Sequence, residues 1–572
     1  MKNQEIAQIF YNIADILEMQ NVQWKPIAYR KAARALESLS EPIEDVFKEG
    51  GIKALEEIPG IGEGLAKKII QYIENGKIDE YERLKKTLPK GLLDLMKVQG
   101  IGPKKAQMLY KKLGIKSVKD LEKAAKKHLI QKLETFKEKT EENILKGIEL
   151  FKQKKDRTLL GLALPQAREI ILRLKKVEGV QGVEAAGSLR RMKETIGDID
   201  ILVTSKNPMP VMESFTKMPS VKRILAKGET KSSVILKTGL QADVRVLKPS
   251  SFGSALQYFT GNKDHNIKLR TIAIKKGLKL SEYGLFTKKG NSKVAGKTEE
   301  EVYKRLDLPY IEPELREDTG EIEAAMKGKL PKLITLKDIR GDLHIHTTYS
   351  DGVNTVKEIA EFCKKLGYEY ICITDHSKST TIARGLTEKQ VEKQIEEVRK
   401  IDKKIEGIKI LMGTEVDILE DGRLDFPDHI LKKMDVVTAS IHKKFKMSKE
   451  KMTERILKAM GNDNVDIIGH PTGRLIGERE GYDLNFEKVF QAAKNTKTAL
   501  EINSQLKRLD LNGSLVKDAK NYGIKFVVST DAHSLIQLNF MELGVAMARR
   551  GWCEKKDVVN TLSLKDLLKQ LK

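Results

Sequence analysis

Over residues 1–150 the apolar side chains recur at the spacing of amphipathic helices, and glycine turns break the run into short pieces. The opening MKNQEIAQIFYNIADILEM predicts a first helix, and its acidic residues argue against a signal peptide. Two stretches repeat one design: LEEIPGIGEGLAKKI (55–69) and LMKVQGIGPKKAQMLYKKLGI (95–115). Each predicts a helix, a glycine–apolar–glycine turn, and a second helix opening on small or basic residues. A third stretch, LETFKEKTEENILKGI (133–148), has similar flanks but no glycine in its turn. In GDIDILV (197–203) and QADVRVL (241–247) the period shifts to two, as in half-buried strands. Residues 317–336, mixing charge with Gly and Pro, predict a linker with a short helix. Beyond it come seven strand candidates: GDLHIHT, EYICITDH, IKILMGTEVDI, MDVVTASIH, VDIIGHP, TALEINS and IKFVVSTDAH. Helix-period segments such as TVKEIAEFCKKLG separate most of them. Such alternation predicts a parallel sheet, and seven units a closed barrel.

At 572 residues the chain exceeds one core, so several domains are expected. No run approaches the ~20 apolar residues of a membrane helix. The three cysteines, Cys363, Cys372 and Cys553, form no CxxC pair, which suits a reducing cytoplasm. Charge changes the picture more. Of the formal net +24, residues 101–300 carry +22 (43 basic against 21 acidic side chains). A basic excess confined to one central block is expected of a surface that lies along phosphates.

The two glycine turns fit that surface. Glycine allows positive φ and close backbone approach, and the free N–H groups of the second helix form an anion site. They resemble the helix-hairpin-helix motif, which implies sequence-independent DNA contacts at Gly60, Gly62, Gly64, Gly100, Gly102, Lys104 and Lys105.

In GSLRRMKETIGDIDILV (187–203), Asp198 and Asp200 lie two apart on one strand face, with Ile199 and Ile201 turned to the core. Carboxylates held so close repel unless cations lie between them, so this is a hard-metal site, Mg²⁺ or Mn²⁺. Asp243, opening another alternating strand, adds a third carboxylate, enough for two ions and in-line phosphoryl transfer. The block resembles the palm of the family X DNA polymerases, in the nucleotidyltransferase superfamily. By that resemblance Asp198, Asp200 and Asp243 are the catalytic metal ligands. Gly187, Ser188, Arg191 and Gly197 would surround the incoming triphosphate. LQYFTGNKDHNIKLR and the residues after it resemble the family's thumb, which implies sugar selection by Tyr258, Phe259 and Gly261. It also implies minor-groove monitoring by Asn266 and Arg270. Gln241 departs from the family's usual arginine, and Lys263 and His265 from its uncharged or acidic side chains; Lys263 is expected to strengthen nucleotide binding. Lys68, with Lys25 and Tyr29, matches the family's 5′-deoxyribose phosphate lyase lysine, although Gly64 replaces a basic residue there. Lys68 is therefore a possible lyase nucleophile, with plain phosphate contact the favoured alternative.

Histidine is scarce, with nine in the chain, yet six fall at barrel strand ends among carboxylates. The set is His344, His346, Asp351, His376, Glu415, His442, His470, Asp531 and His533. Barrel active sites form at the C-terminal ends of strands, so these residues should converge. Mixed imidazole and carboxylate donors suit Mn²⁺, Zn²⁺ or Fe²⁺. The pattern resembles the PHP (polymerase and histidinol phosphatase) superfamily, which implies up to three ions, Mn²⁺ or Zn²⁺, and phosphoester hydrolysis. That resemblance gives one ion to His344, His346, Glu415 and Asp531, a second to Glu415, His442 and His470, and a third to Asp351, His376 and His533. Arg474 is a candidate for steadying the phosphate.

The expected fold class is multidomain: all-α helix-hairpin-helix N-terminal domains, an α/β nucleotidyltransferase palm with a small thumb, and a C-terminal (β/α)7 PHP barrel. The expected boundaries are 1–85 and 86–152 for the helical domains, then 153–250 for the palm and 251–316 for the thumb, with a linker over 317–336 and the barrel over 337–572. The two resemblances imply a monomeric cytoplasmic enzyme with no membrane contact, taking gapped or nicked duplex DNA with a 5′-phosphate, and dNTPs. Its expected work is gap filling in base excision repair with 3′→5′ exonuclease action, and possible cleavage at abasic sites. The alternative is a DNA-end or abasic-site phosphodiesterase whose palm is a binding platform.

Overall fold

The computed structural model describes residues 2–571 except 21, 39–42, 59, 90, 97, 99–100, 134–135, 137–139, 143, 146, 149–156 and 291. Two compact units result: Met1–Arg157 with Lys263–Ser281 and Leu285–Val294, and Thr158–Asn262 with Glu282–Gly284 and Ala295–Lys572.

The first unit is helical through residue 126, as its glycine-punctuated pattern predicts. Helices α1 (Lys2–Met19) and α2 (Lys25–Ser38) pack with α3 (Glu63–Asn75) on a core that includes Phe10, Ile13, Ala32 and Ile69. A second core holds Leu95, Ile101, Ala106 and Leu121 around α4 (Pro103–Leu113). The two glycine turns are built alike. Gly62 caps α3 at φ −97°, ψ 175°, and Gly102 caps α4 at φ −96°, ψ 177°, neither with a side-chain cap. Both second helices end on a left-handed glycine, Gly76 or Gly114. Gly60 adopts φ +96°, where a Cβ would also strike the Lys31 side chain at 2.9 Å. Gly100 and parts of 133–148 lie outside the described residues. Helix α5 (Lys263–Lys275) belongs to this unit too.

The second unit holds two large sheets on a shared hydrophobic core, besides a two-stranded pair of Thr158–Leu159 with Thr195–Ile196. The first has five strands: β1 (Val180–Ala185), β2 (Asp198–Ser205), β3 (Val221–Lys227), β4 (Lys231–Leu236) and β5 (Gln241–Leu247), ordered β1-β2-β5-β4-β3. Only β2 and β5 pair in parallel. Ile199 and Ile201, and Ala242 and Val244, point into the core beneath helices Leu160–Leu174 and Pro208–Thr216.

The second sheet contains the seven expected strands: β6 (Gly341–Ile345), β7 (Tyr370–Ile373), β8 (Lys409–Asp417), β9 (Val436–Ser440), β10 (Ile467–Ile468), β11 (Ala499–Asn503) and β12 (Phe526–Ser529). They run parallel in sequence order. The ring closes where Ile345 bridges Ala532 and the His346 N–H donates to the Ala532 carbonyl at 2.9 Å. The barrel helix Met541–Arg550 packs Leu543 against the Leu160–Leu174 helix, and a Cβ at Gly161 would overlap Leu506 and Leu543. Residues 317–336 are not a loose tether. Their apolar Ile322, Ala325 and Ile334 are buried, and Ile334 N–H donates to the Cys553 carbonyl at 3.0 Å. Among the described residues no helix is long and apolar enough to cross a membrane.

Candidate active sites

Parallel pairing of β2 with β5 places Asp200 directly opposite Asp243 and Asp198 opposite Gln241, so three carboxylates share one face. The Ala186 N–H donates to the Asp200 carbonyl at 2.8 Å, bringing the turn at 187–190 against β2. That approach requires glycine: Gly187 sits at φ +62°, and a Cβ there would lie 2.5 Å from Asp200 Oδ2. Burial and the neighbouring Asp198 and Asp243 charges push the Asp200 carboxyl up to about 7. The repulsion is only partly relieved, by Lys231 Nζ at 3.5 Å from Asp243 Oδ2 and by Arg245 nearby. Gln241 Nε2 donates to Asp243 Oδ1 at 3.0 Å. Three hard oxygen donors with unrelieved charge fit divalent cations.

Ser188 and Gly197 flank the acidic face; Ser188 is half-buried and Gly197 exposed. Arg191 is engaged already: its Nε donates to Glu317 Oε1 at 3.0 Å and its Nη1 to the Thr260 carbonyl. Its neighbour Arg190 is committed to Glu299 through two bonds of 3.0 and 2.6 Å. Tyr258 and Phe259 pack edge to face at 5.2 Å, Arg245 lies 4.7 Å over the Phe259 ring, and Gly261 ends their helix. Lys263, Asn266 and Arg270 occupy positions i, i+3 and i+7 of α5, one face of a helix in the other unit.

In the first unit, Lys104 is exposed and Lys105 half-buried at the start of α4, and Gly64 falls in the first turn of α3. Lys68 is paired, with Nζ 3.2 Å from Glu80 Oε2 and donating to the Gly64 carbonyl at 3.1 Å. The Tyr29 hydroxyl donates to the same Glu80 oxygen at 2.8 Å.

The barrel brings all nine expected ligands together. His344 lies in β6, Glu415 lies within β8, and His346 and the others occupy the loops past strand ends. His346 Nε2 lies 3.1 Å from Asp531 Oδ1; His470 Nε2 and His442 Nε2 lie 2.9 and 3.2 Å from Glu415 Oε1. His376 Nδ1 is 2.8 Å from Glu415 Oε2, and His533 Nε2 is 3.3 Å from Asp351 Oδ2. Ligand-capable atoms group as His344, His346 and Asp531; as His346, Asp351, His376 and His533; and as His376, Glu415 and His442. This differs from the expected partition: His346 and His376 are each shared between two groups, and His470 joins through Glu415.

The donor set fits divalent ions on the structure's own terms. Despite close carboxylate contacts, buried His344 Nε2, both ring nitrogens of His346, His376 Nδ1, Glu415 Oε2 and His470 Nδ1 make no aligned hydrogen bond among the described residues. So many orphaned donors in one chamber would be costly without a cation. Burial and the His533 and His376 rings lower His346 to about 4, so the ring is neutral and keeps one nitrogen as a lone-pair donor, the other carrying its N–H.

Sequence reasoning missed a ring of carboxylates behind these ligands. Glu501 Oε1 lies 2.7 Å from His344 Nδ1, turning Nε2 toward the chamber. Asp417 Oδ1 is 3.2 Å from His442 Nδ1. Asp342 accepts from the Thr530 and His344 N–H groups, both at 3.2 Å, and Asp375 fixes the loop before Asp351 by accepting from Thr347 N–H at 2.8 Å. Asp342, Asp375 and Asp417 each stand within two positions of a ligand, where the sequence offers no way to tell ligand from support. Arg474 is turned away from the chamber: it donates to the Arg508 and Leu509 carbonyls and, at 3.1 Å, to Glu194. Arg508 instead lies beside a ligand, with Nε 3.5 Å from Asp531 Oδ2. Trp24 was also missed; it stands 79% exposed beside Lys25.

Family models match along the chain: a helix-hairpin-helix domain over residues 1–78, a SAM-like helix-hairpin-helix tandem over 92–149, the DNA polymerase beta thumb over 255–317 and the PHP domain over 342–505. A DNA polymerase/3′-5′ exonuclease PolX of Bacillus subtilis (strain 168) is 40% identical over 574 residues, covering 99% of each chain. Rattus norvegicus DNA polymerase lambda is 27% identical over 348 residues, 55% of this chain and 56% of that one. A probable phosphatase of Thermoanaerobacter sp. (strain X514) is 34% identical over 244 residues, 40% of this chain and 95% of its own.

Proposed function

Because this chain belongs to the family X DNA polymerases that carry a C-terminal PHP domain, we propose that it fills short gaps in DNA and trims 3′ ends with its barrel. The observation that carries the reading is the register of β2 on β5, which sets Asp198, Asp200 and Asp243 on one face.

Two Mg²⁺ or Mn²⁺ ions held by these aspartates would supply the positive charge that nucleotidyl transfer needs. The chain's own part is positional. Gly187 brings the turn that carries Ser188 and Arg191 against Asp200, where a triphosphate would meet their donors. Gly197, exposed beside Asp198, adds no side chain there. Tyr258 and Phe259 offer a wall for the sugar above Gly261, and Lys263, Asn266 and Arg270 a polar helix face for the nascent pair. Gly60, Gly62, Gly64, Gly100, Gly102, Lys104 and Lys105 serve the phosphates flanking the gap, and we assign Lys68 to phosphate contact as well. Trp24 adds an exposed ring on which an unpaired base can stack.

In the barrel, up to three Mn²⁺ or Zn²⁺ ions on the nine ligands would supply the charge for phosphodiester hydrolysis. We assign Arg508, whose Nε lies beside Asp531, to holding the phosphate. We propose gapped duplex DNA with a 5′-phosphate and dNTPs as substrates, base excision repair as the setting, the cytoplasm as the compartment, and a monomer as the working form.

The test uses a 5′-labelled primer facing a one-nucleotide gap, with Mn²⁺, with and without nucleotides. Extension by one with nucleotides and shortening without them is expected. Shortening under both conditions would favour the other reading, a DNA-end phosphodiesterase whose palm only binds.

A further inference from the structure

Arg550, the last residue of the barrel helix Met541–Arg550, reaches the nucleotide side of the palm. Its Nη1 donates to the Arg191 carbonyl at 2.8 Å and to Glu317 Oε1 at 3.1 Å. That same Glu317 oxygen accepts from Arg191 Nε at 3.0 Å. The other carboxylate oxygen accepts from Asn262 Nδ2 at 3.2 Å and lies 3.6 Å from Lys193 Nζ. The Arg191, Glu317 and Arg550 side chains are 12%, 16% and 10% exposed, so the three charges interact with little screening. The arrangement is held from both ends. Glu542, in the first turn of the same helix, pairs bidentately with Arg168 at 2.8 and 2.7 Å, and a Cβ on Gly513 would lie 2.6 Å from Arg550 Cβ.

One carboxylate thus serves two guanidiniums, one from each catalytic module. We propose that Arg550 of the barrel is a positioning residue of the nucleotide site, setting through Glu317 the orientation and effective charge of Arg191. With Arg550 present, its cation offsets the Glu317 charge and leaves Arg191 able to attract a triphosphate. Without it, the whole carboxylate charge falls on Arg191 and Lys193, and the attraction weakens. The inference rests on the reading of Arg191 as a triphosphate contact.

The experiment measures single-nucleotide incorporation on gapped DNA by the full chain, separating nucleotide KM from kcat, with Arg191→Ala as reference. Arg550→Ala is expected to raise nucleotide KM about fivefold with kcat held within about twofold, the scale of one partly buried charge. Adding Glu317→Gln to Arg550→Ala should return KM to the wild-type value, because the charge to be offset is gone. Should Arg550→Ala lose its thermal transition, Arg550→Gln, which removes the charge but keeps a donor, carries the same expectation. An unchanged KM in the Arg550 variant, or an increase that persists with Glu317→Gln, overturns the proposal while leaving Arg191's role intact. An Arg191→Ala variant with unchanged KM overturns both.

Discussion

Asp200 and Asp243 face one another across parallel strands, at the one parallel pairing in the palm sheet. Burial of Asp200, with the repulsion of Asp198 and Asp243 added, makes the metal-free site pH-sensitive. The folded Asp200 carboxyl, up at about 7, takes up a proton well above the ordinary carboxylate range. Folding is therefore favoured by this group at low pH, and the contribution is lost as pH rises through about 7. In chelator-treated protein, Asp200→Asn should flatten the fall in melting temperature between about pH 4 and 7, and Mg²⁺ should recover most of the fall in wild type. A melting curve for Asp200→Asn that tracks wild type across this range would show that Asp200 does not carry the effect.

Glu501 holds the ring of His344 from behind. Glu501→Gln should weaken metal retention in the barrel by roughly 10–100-fold, the usual cost of losing such a partner. Metal content after dialysis is the readout, and nucleotide incorporation serves as the internal control. Unchanged metal content would mean that the contact only packs the ring.

Arg508 and Arg474 should separate cleanly. Arg508→Ala is expected to slow 3′-end hydrolysis at least about tenfold by the loss of one charged phosphate contact, with bound metal unchanged. Arg474→Ala, which removes bonds to Leu509, Arg508 and Glu194, should lower the melting temperature instead. The reverse pattern would return the phosphate role to Arg474.

Lys68 shares Glu80 with Tyr29. An amine held as an ion pair is a poor nucleophile, so borohydride should trap no adduct at Lys68 on DNA bearing a 5′-deoxyribose phosphate. A trapped product that disappears in Lys68→Ala would establish lyase chemistry there.

The sequence revealed the fold wherever periodicity and punctuation agreed. The barrel strands were visible because six of the seven apolar runs end on a residue unlikely to close a strand without a task, as in LHIHT and STDAH. Asp198 and Asp200 were visible as a pair because the strand period is two, and Gly62 and Gly102 because their turns repeat. Pairings between distant residues were not visible. Nothing around Glu317 or Arg550 marks them as partners 233 positions apart. Nor does an acidic residue inside ALEIN show that its carboxylate faces a histidine of the first strand. Arg474 was a reasonable candidate by its distance from His470; only the backbone path through Leu509 shows which arginine faces the metal chamber.

The apolar seam between the Leu160–Leu174 helix and the barrel bears on how this molecule can fail. Leu160 and Ala163 belong to the same buried cluster as Leu543 and Val528. Heating or nicking that opens the seam exposes oily surface on both sides at once, so synthesis and trimming should be lost together. A palm cut free of its barrel would be sticky rather than independently active, and damage is more apt to silence this protein than to leave a copyist without its eraser.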